Sequence, residues 1–356
     1  MEEAQACRSQ SGSVASSSML VMPATLGLDY LAAGEIAACA EKFRGHILGM
    51  AAFGSSAGAS AAYPVATQVN MLVLSSDTLF EVWTSSEPVT LCDEPPITAS
   101  KNNEVLYGSI DIHPAPGEKL AATTHRAYAT IFSFIQRQRY PHLLRIWNYF
   151  PQINVMEDGL ERYRSFNVGR HQAFLEQETI LTAENIPAAC ALGSQGDSLT
   201  IYFLAAKQAG QAVENPRQMP AYHYPELFGP RSPLFSRALL MKSGSQQYLF
   251  ISGTASIVGC ETLHAGDISQ QTQETLVNVR TLLKQAAGHG AEAFPAGRLL
   301  LKVYLRQAQD FPLVRRLITA EFGPSHQAVY LQSDICRADL LVEIEGLHIS
   351  NQQPVL

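Results

Sequence analysis

Two segments of the chain place arginines among aromatic residues, prolines and glycines, an arrangement suited to binding a carboxylate. They are ERYRSFNVGR (161–170) and YHYPELFGPRSPLFSR (222–237), and we expect both to be loops. Arg170, Arg231 and Arg237 lie beside glycine or within proline-rigid turns, where a planar guanidinium is pre-organised for a two-bond contact with a carboxylate. The remaining arginines nearby are expected to be solvated surface charges: Arg162, Arg164 and Arg217.

Polar and apolar residues alternate in two predicted strands of the second half. In LLVEIE, Glu343 and Glu345 share one face, so we expect one carboxylate to point into a site and the other to its rim. In LLLKVYLR, Lys302, Tyr304 and Arg306 share one face, which makes that face of the sheet cationic. The alternative is that these three polar groups lie on the solvent side of the sheet.

Motifs of other enzyme classes find little support. GSSAG (54–58) matches the GxSxG of a serine hydrolase, but its surroundings lack the strand and helix that expose a nucleophilic serine. Cys260 and His264 have a spacing that suits a metal on a helix. No second pair lies near them in the sequence, so packing or capping is the simpler interpretation and no metal is expected. The sequence contains no GxGxxG, Walker A or HExxH motif.

The elements that would position these groups recur along the chain. The first half contains a predicted strand, helix and strand, in this order: 105–112, 121–138 and 143–149. The second half repeats the order and adds one helix and one strand: 248–257, 270–286, 299–305, 311–322 and 340–345. We interpret this as an internal duplication. Between the copies, residues 215–237 are irregular and long, and long ordered loops usually carry function.

Composition limits the classes of protein to consider. The 356 residues, 46% hydrophobic and 16% charged, describe a soluble globular chain with room for two domains. A net charge of −7 argues against nucleic-acid binding, because neutralising phosphates needs a basic face. Six scattered cysteines without a CxxC pair indicate neither a disulfide framework nor a zinc ribbon, and they fit a reducing cytosol.

No segment is expected to direct secretion or to enter a membrane. The first ten residues carry no apolar run. The stretch 48–67 is mostly Ala, Gly and Ser and is broken by Pro64, so we predict small-residue packing and loop there.

Several motifs occur in order over about two-thirds of the chain: RIWNYFPQIN (145–154), GLERYRSFNVGR (159–170), ENP (214–216), YHYPELFGPRSPLFSRA (222–238), LFISGTASIVG (249–259), LKVYLR (301–306) and DICRADLLVEIEG (334–346). Together they resemble the chorismatases, enzymes of the Rid (YjgF-like) fold that split the enolpyruvyl ether of chorismate. The first hundred residues match that family poorly. The resemblance implies an α+β fold of two Rid-like halves, with mixed sheets and helices packed on one face.

The resemblance also implies roles for particular residues. Glu343 is implied to be the general acid that protonates the methylene carbon of the enolpyruvyl group. Such a carboxyl needs its pKa raised by burial, whereas nearby arginines lower it, so Glu343 must be shielded from the arginines that hold the substrate. The groups implied to surround the two carboxylates of chorismate are Tyr163, Arg170, Tyr224, Arg231, Arg237 and Arg306.

Gly253 and Cys336 are the positions at which the subtypes of the family are implied to differ. Members that release a dihydroxylated cyclohexadiene carry alanine at both, whereas members that form 3-hydroxybenzoate look like this chain. The diene route takes up a water, while the other route runs by internal attack of the ring hydroxyl. A glycine and a soft, titratable thiol are expected to change the position of the substrate ring in the site and the way in which the ring loses a proton. Ordinary burial is the alternative for Cys336.

We therefore expect a cytoplasmic chorismatase that converts chorismate to 3-hydroxybenzoate and pyruvate, with some 4-hydroxybenzoate, and uses neither metal nor organic cofactor. The alternatives are a hydrolase that forms the diene, a Rid-type imine deaminase that acts on small 2-imino acids, and a non-catalytic metabolite-binding protein. No nucleic acid or membrane partner is expected, and a duplicated chain favours a monomer.

The expected domain organisation has three parts. Residues 1–18 form a flexible tail, 19–155 an N-terminal Rid-like domain, and 156–356 a C-terminal Rid-like domain that carries the substrate-binding loops. The site is expected where the two halves meet.

Overall fold

The computed structural model describes residues 26–54, 66–75, 78–176, 186–244, 246–289 and 299–350. The predicted tail at 1–18 and most of the GSSAG motif lie outside these residues. The helices are α1 (Ile36–Lys42), α2 (Leu120–Gln138), α3 (Arg162–Leu175), α4 (Ile268–Gly288) and α5 (Phe311–Phe322). Two helices begin with residues that favour a helix start. The Asp267 side chain accepts a hydrogen bond from the Gln270 amide and caps α4, and Pro312 lies in the first turn of α5.

The strands are β1 (Leu26–Ala32), β2 (Ile47–Gly54), β3 (Ala66–Val69), β4 (Leu72–Val73), β5 (Thr78–Ser85), β6 (Thr90–Leu91), β7 (Ile97–Lys101), β8 (Val105–Ile112), β9 (His142–Phe150), β10 (Met156–Glu157), β11 (Leu160–Glu161), β12 (Ala188–Gly193), β13 (Leu199–Ala206), β14 (Gln211–Val213), β15 (Ala238–Ser243), β16 (Gln246–Ala255), β17 (Ile257–Val258), β18 (Glu261–Thr262), β19 (Leu299–Leu305), β20 (Gln327–Gln332) and β21 (Val342–Ile349). Two short hairpins pair β10 with β11 and β17 with β18. The other strands form three sheets.

The sheets repeat one topology. The second sheet has the order β12-β9-β13-β8-β7-β6, and the third has β14-β15-β16-β21-β19-β20-β4. In the second sheet β12 runs parallel to β9 and β13 runs antiparallel to both β9 and β8, and in the third β20, β19, β21 and β16 have the same relations. The first sheet, β1-β5-β2-β3, repeats this four-strand core, with β3 parallel to β2. The repeated order of strand, helix and strand predicted from the sequence is present in the structure, and a further partial copy precedes the two.

Helices cover one face of each sheet, and the other faces meet in the middle. α2 and α3 pack on the second sheet, α4 and α5 on the third, and α1 on the first. The central core joins all three sheets through large aromatic side chains: Trp83, Tyr107, Trp147, Tyr202, Phe250 and Tyr304. The expected α+β class, with mixed sheets and helices on one face, is confirmed.

Two local predictions are wrong. Part of the stretch 48–67, predicted as small-residue packing and loop, lies in the buried strand β2 and in the strand β3, so the expectation of a loop is wrong there, whereas residues 55–65 lie outside the described residues. The hydrophobic pattern of β2 is weak because its buried positions hold small residues that leave room for large neighbours. A Cβ at Gly49, for example, would lie 2.3 Å from the Tyr107 ring. Residues 161–170, also predicted as loop, lie mostly in α3, whose buried face includes polar residues and so lacks an apolar stripe. Gly169 lets α3 approach α2, since a Cβ there would meet the Ala121 carbonyl at 2.0 Å.

The proposed division into domains at residue 155 stays a prediction. The second sheet takes β9 from one side of that residue and β12 and β13 from the other. None of the helices in the described ranges is long and apolar enough to cross a membrane.

Candidate active site

A cavity of about 420 Å³ opens between the second and third copies. Its walls come from the start of α3, the irregular segment before β15, strand β16, the hairpin of β17 and β18, and the segment between β20 and β21. The polar groups of its lining are Glu161, Tyr163, Arg164, Tyr224, Arg237, Glu261, Thr262, Cys336, Arg337, Asp339 and Glu343. The volume suits a small molecule.

Glu343 reaches this cavity from the middle of the molecule. It lies on β21, paired in register with Tyr304 of β19 and Ala255 of β16, and it is 4% exposed. Burial raises the pKa of Glu343 to about 8, and the negative charge of Glu345 adds to the effect, while Arg145 and Arg237 oppose it. The carboxyl is therefore mostly protonated at neutral pH, the state a general acid requires.

Gly253 forms the wall directly against the Glu343 carboxyl. The pairing of β16 with β21 is irregular between Ile251 and Thr254, which brings Gly253 toward the acid. A Cβ at Gly253 would lie 1.9 Å from Oε1 of Glu343 and 3.3 Å from Cβ of Cys190. An alanine here therefore requires the carboxyl to move.

Cys336 lies on the other side of the same carboxyl. Its Sγ is 3.9 Å from Oε2 of Glu343, within the range of a weak thiol hydrogen bond. Burial and then the neighbouring Glu343 raise the pKa of Cys336 to about 12. The group is thus a thiol donor at neutral pH, and the expected readily titratable sulfur is not supported by these surroundings.

Two arginines flank the ring of Tyr224 at the cavity wall. Nη2 of Arg237 donates to the Tyr224 hydroxyl at 2.7 Å and to the Met219 carbonyl at 2.8 Å. Nη1 of Arg337 donates to the Cys260 carbonyl at 2.8 Å, and its guanidinium carbon lies 4.3 Å from the Phe228 ring centroid and 5.4 Å from that of Tyr224. Among the described residues, Nε of Arg237 and Nη2 of Arg337 have no hydrogen-bond acceptor.

Sequence reasoning missed Arg337, although it lies in the DICRAD motif beside Cys336. Arg164, predicted as a solvated charge, is another missed residue, since it lines the cavity and pairs with Glu161 at 3.3 Å.

The other predicted substrate-binding arginines lie elsewhere. Arg170 is 2% exposed and donates to Asn167 at 3.0 Å within α3, outside the cavity lining. Arg231 is exposed and also outside the lining. The five N–H groups of Arg306 are all used within the protein: they bind the carbonyls of Leu340, Ile335 and Arg337 and the side chains of Asn154 and Asp334. A direct contact of Arg306 with substrate is not supported, and its contacts instead fix the segment that carries Cys336 and Arg337.

Glu345 does not lie at the rim of the site. It is 3% exposed and faces the central core, where it pairs with Arg145 and Lys302. The face shared by Lys302 and Tyr304 is likewise buried, so the solvent-facing alternative is wrong for these two residues. Within the described ranges, no three His, Cys, Asp or Glu side chains gather in a metal-binding arrangement.

Comparisons with known proteins agree with this geometry. The family model for the N-terminal part of FkbO/Hyg5-like chorismatases matches residues 81–205. A 3-hydroxybenzoate synthase of Streptomyces hygroscopicus is 35% identical over 294 residues, which cover 79% of this chain and 84% of the relative. A chorismatase of Streptomyces rapamycinicus is 36% identical over 291 residues, covering 79% of this chain and 85% of that protein.

A solved structure extends the similarity to the whole fold. A chorismatase crystal structure superposes with a TM-score of 0.80 at 31% sequence identity, covering 92% of this chain and 98% of that one. Both the sequence matches and the structural match span most of each protein. This chain belongs to the chorismatase family.

Proposed function

We propose that this chain cleaves chorismate to 3-hydroxybenzoate and pyruvate, with Glu343 as the general acid. One observation carries the proposal: a buried carboxyl with a pKa of about 8 borders a cavity that is also lined by two arginines. An enol ether becomes a leaving group once its terminal carbon is protonated, so a proton donor and an anion-binding wall are the two parts the reaction needs.

The first step transfers the proton of Glu343 to the methylene carbon of the enolpyruvyl group. The positive charge that develops beside the ether oxygen weakens the bond between that oxygen and the ring, and the electron pair of the breaking bond becomes the carbonyl of pyruvate. The ring hydroxyl on the adjacent carbon attacks the carbon that pyruvate leaves and gives up its own proton, which forms an epoxide across the two carbons. The bond between the epoxide oxygen and the carbon that first carried it then breaks, the oxygen takes up a proton, and the carbon that keeps the oxygen loses its ring proton, which restores aromaticity. Because 3-hydroxybenzoate and pyruvate together contain the atoms of chorismate, no water is consumed.

Arg237 and Arg337 are the groups proposed to bind the two carboxylates of chorismate. Each already has part of its guanidinium fixed by protein acceptors or by aromatic rings, and each lines the cavity. Such partial fixation lowers the entropy lost when a carboxylate binds. Tyr163 and Tyr224 supply hydroxyl groups on the same wall.

Gly253 and Cys336 favour the hydroxybenzoate route over the hydrolytic one. Gly253 has no side chain that would displace the Glu343 carboxyl, and the thiol of Cys336 contacts Oε2 of the same carboxyl. With the acid fixed from both sides, the ring is expected to lie where its own hydroxyl is the nearest nucleophile. Some 4-hydroxybenzoate is expected as a second product. The five cysteines in the described residues are free thiols, which suits work in the reducing cytoplasm.

The test incubates the purified protein with chorismate, measures pyruvate with a coupled dehydrogenase assay and separates the aromatic products by chromatography. We expect pyruvate in an amount equal to the sum of 3-hydroxybenzoate, the main product, and 4-hydroxybenzoate, with no label from ¹⁸O-water in the phenolic hydroxyl. Glu343→Gln should abolish turnover, whereas Glu261→Gln, which alters an exposed carboxylate of the same cavity, should retain it. Intact chorismate would overturn the proposal, and release of the diene with ¹⁸O incorporation would assign the hydrolytic subtype.

A further inference from the structure

Four ionised side chains lie together in the central core, shielded from solvent. Glu81 on β5, Arg145 on β9, Lys302 on β19 and Glu345 on β21 are each 3% exposed or less. Lys302 pairs with both carboxylates, and Arg145 pairs with Glu345. We call these four residues the ion cluster. It draws one or more members from each of the three sheets, so it forms only when all three copies of the fold are assembled.

The neighbours of the ion cluster satisfy most of its hydrogen-bonding groups. Trp147 donates its indole N–H to Glu345 at 2.8 Å, and Trp83 donates to Glu81 at the same distance. The ammonium of Lys302 donates to the Tyr202 hydroxyl at 2.7 Å and lies 4.8 Å from the Trp147 ring centroid. Although burial raises the pKa of Glu345, Lys302 and Arg145 outweigh it, and the pKa of Glu345 stays below its ordinary value. Glu345 therefore carries a charge that changes little across the neutral range.

The ion cluster lies directly behind the acid of the cavity. Glu345 and Glu343 are two residues apart on β21 and point to the same face of the strand. The buried thiol of Cys190 on β12 interacts with Glu345 and lies against the Gly253 position that touches Glu343. The cavity and the central core thus meet at this one face of β21.

We propose that Glu345, held as a permanent anion by Arg145 and Lys302, is a positioning residue that keeps Glu343 protonated for the reaction. This inference rests on the proposed function, because the protonated state matters only if Glu343 gives up its proton. Glu345 never touches the substrate and acts by making a second negative charge on β21 unfavourable. Two carboxylates on one strand face thereby have opposite protonation states.

The other charged and titratable groups around Glu343 come from every element packed against it. They are Arg145 on β9, Tyr163 on α3, Cys190 on β12, Arg237 before β15, Tyr304 on β19 and Cys336 before β21. Burial together with neighbouring negative charge keeps Tyr163, Cys190, Tyr304 and Cys336 neutral, since the pKa of each is raised. Arg145 and Arg237 lower the pKa of Glu343. The charge of Glu345 opposes these two cations. The cavity lining adds the carboxylates of Glu161, Glu261 and Asp339 and the guanidinium of Arg337.

The test compares three variants by two measurements: the pH dependence of kcat/KM on chorismate, and the pH titration of the infrared C=O band of the protonated carboxyl, assigned by its loss in Glu343→Gln. Glu345→Gln should move both midpoints down by about one pH unit, so that turnover falls about tenfold at pH values above both midpoints. Arg145→Met should move them up. Glu81→Gln removes an equally buried carboxylate of the ion cluster and is the matched control, with midpoints expected to stay in place.

The opposite signs separate this role from a merely structural one. Loss of packing alone would lower turnover in all three variants without moving the midpoints in opposite directions, and that result would overturn the proposal. If Glu345→Gln does not fold, as judged by circular dichroism, the double variant Glu345→Gln/Lys302→Met, which removes the carboxylate together with a buried cation that pairs with it, carries the same test, and its midpoints should again move down. A wild-type protein that leaves chorismate intact would refute the proposed function, while the infrared titrations would still report on Glu345. Normal turnover with an unmoved midpoint in Glu345→Gln would refute only the role of Glu345.

Discussion

Replacement of Glu343 by glutamine is expected to abolish turnover and, at alkaline pH, to stabilise the fold. In the unfolded chain this carboxyl has a pKa near its ordinary value of 4.5, whereas in the folded protein burial and Glu345 raise it to about 8. Between these two pH values the carboxyl is ionised in the unfolded chain and protonated in the folded protein, so folding requires the uptake of a proton. Proton uptake becomes less favourable as the pH rises, and the carboxyl therefore destabilises the fold progressively across this range. Glutamine has the same size and no such titration.

The magnitude follows from the two pKa values. By linkage, the destabilisation is under about 1 kcal/mol at pH 5, about 3 kcal/mol at pH 7 and close to 5 kcal/mol at pH 9. Any cost of placing an amide at this position is nearly independent of pH. The free energy of unfolding of Glu343→Gln, relative to the wild type, should therefore increase by about 4 kcal/mol from pH 5 to pH 9, whatever its absolute value.

Urea unfolding measures this difference, with the fluorescence of the buried Trp83 and Trp147 as the signal. Glu41→Gln, on the exposed surface of α1, is the control, because it removes a carboxylate that folding does not bury. A difference for Glu343→Gln that does not change from pH 5 to pH 9 would mean that the carboxyl of Glu343 titrates normally, and the general-acid assignment would lose its physical basis.

Three other substitutions test the walls around the acid. Gly253→Ala forces the Glu343 carboxyl to move by more than about 1 Å, so kcat/KM should fall about 100-fold. Gly346→Ala on β21, the strand that carries Glu343, adds a Cβ that would meet its nearest neighbour at 3.3 Å, and its kcat/KM should stay within a few-fold of the wild type. Cys336→Ala removes a thiol contact that lowers the pKa of Glu343, so the alkaline limb of the kcat/KM profile should move to higher pH. Arg337→Met should raise KM for chorismate by about 10- to 100-fold, with kcat changed only a few-fold; steady-state kinetics would contradict the carboxylate assignment if KM stayed the same.

Alternation along the strands allowed the buried side of the site to be predicted from the sequence. LLVEIE placed Glu343 and Glu345 on one face, and the structure has them there. The sequence did not distinguish their surroundings, because the partners of Glu345 come from residues about 40 to 200 positions away. Which carboxylate enters a cavity and which enters the core depends on how the three sheets meet, and no local pattern encodes that.

The roles of the arginines were harder to predict, because a sequence does not show whether an arginine is a solvated surface charge, a structural hydrogen-bond donor or a ligand-binding group. Arg306 appeared to be a substrate group on a cationic strand face, yet its donors are all bound by oxygens of Asn154 and of the segment between β20 and β21. Arg337 had no such pattern and gained its place from two aromatic rings of the segment before β15. A guanidinium whose donors are satisfied positions the protein, whereas one with an unused donor is able to bind a ligand, and only coordinates separate the two cases.

The threefold repetition of the sheets explains why a stable protein tolerates a buried acid of raised pKa. A single sheet with helices on one face leaves its other face to be covered, and here three such faces meet around the ion cluster. Glu345 and Glu81 are neutralised there by Arg145 and Lys302, whose guanidinium and ammonium groups also lie near aromatic rings. Glu343 stands two residues beyond this balanced group, at the point where the packing opens into a cavity. The free-energy cost of burying Glu343 is thus confined to one residue, because the other buried charges of the core are paired. A fold whose remaining charges are paired can tolerate one unfavourable functional group.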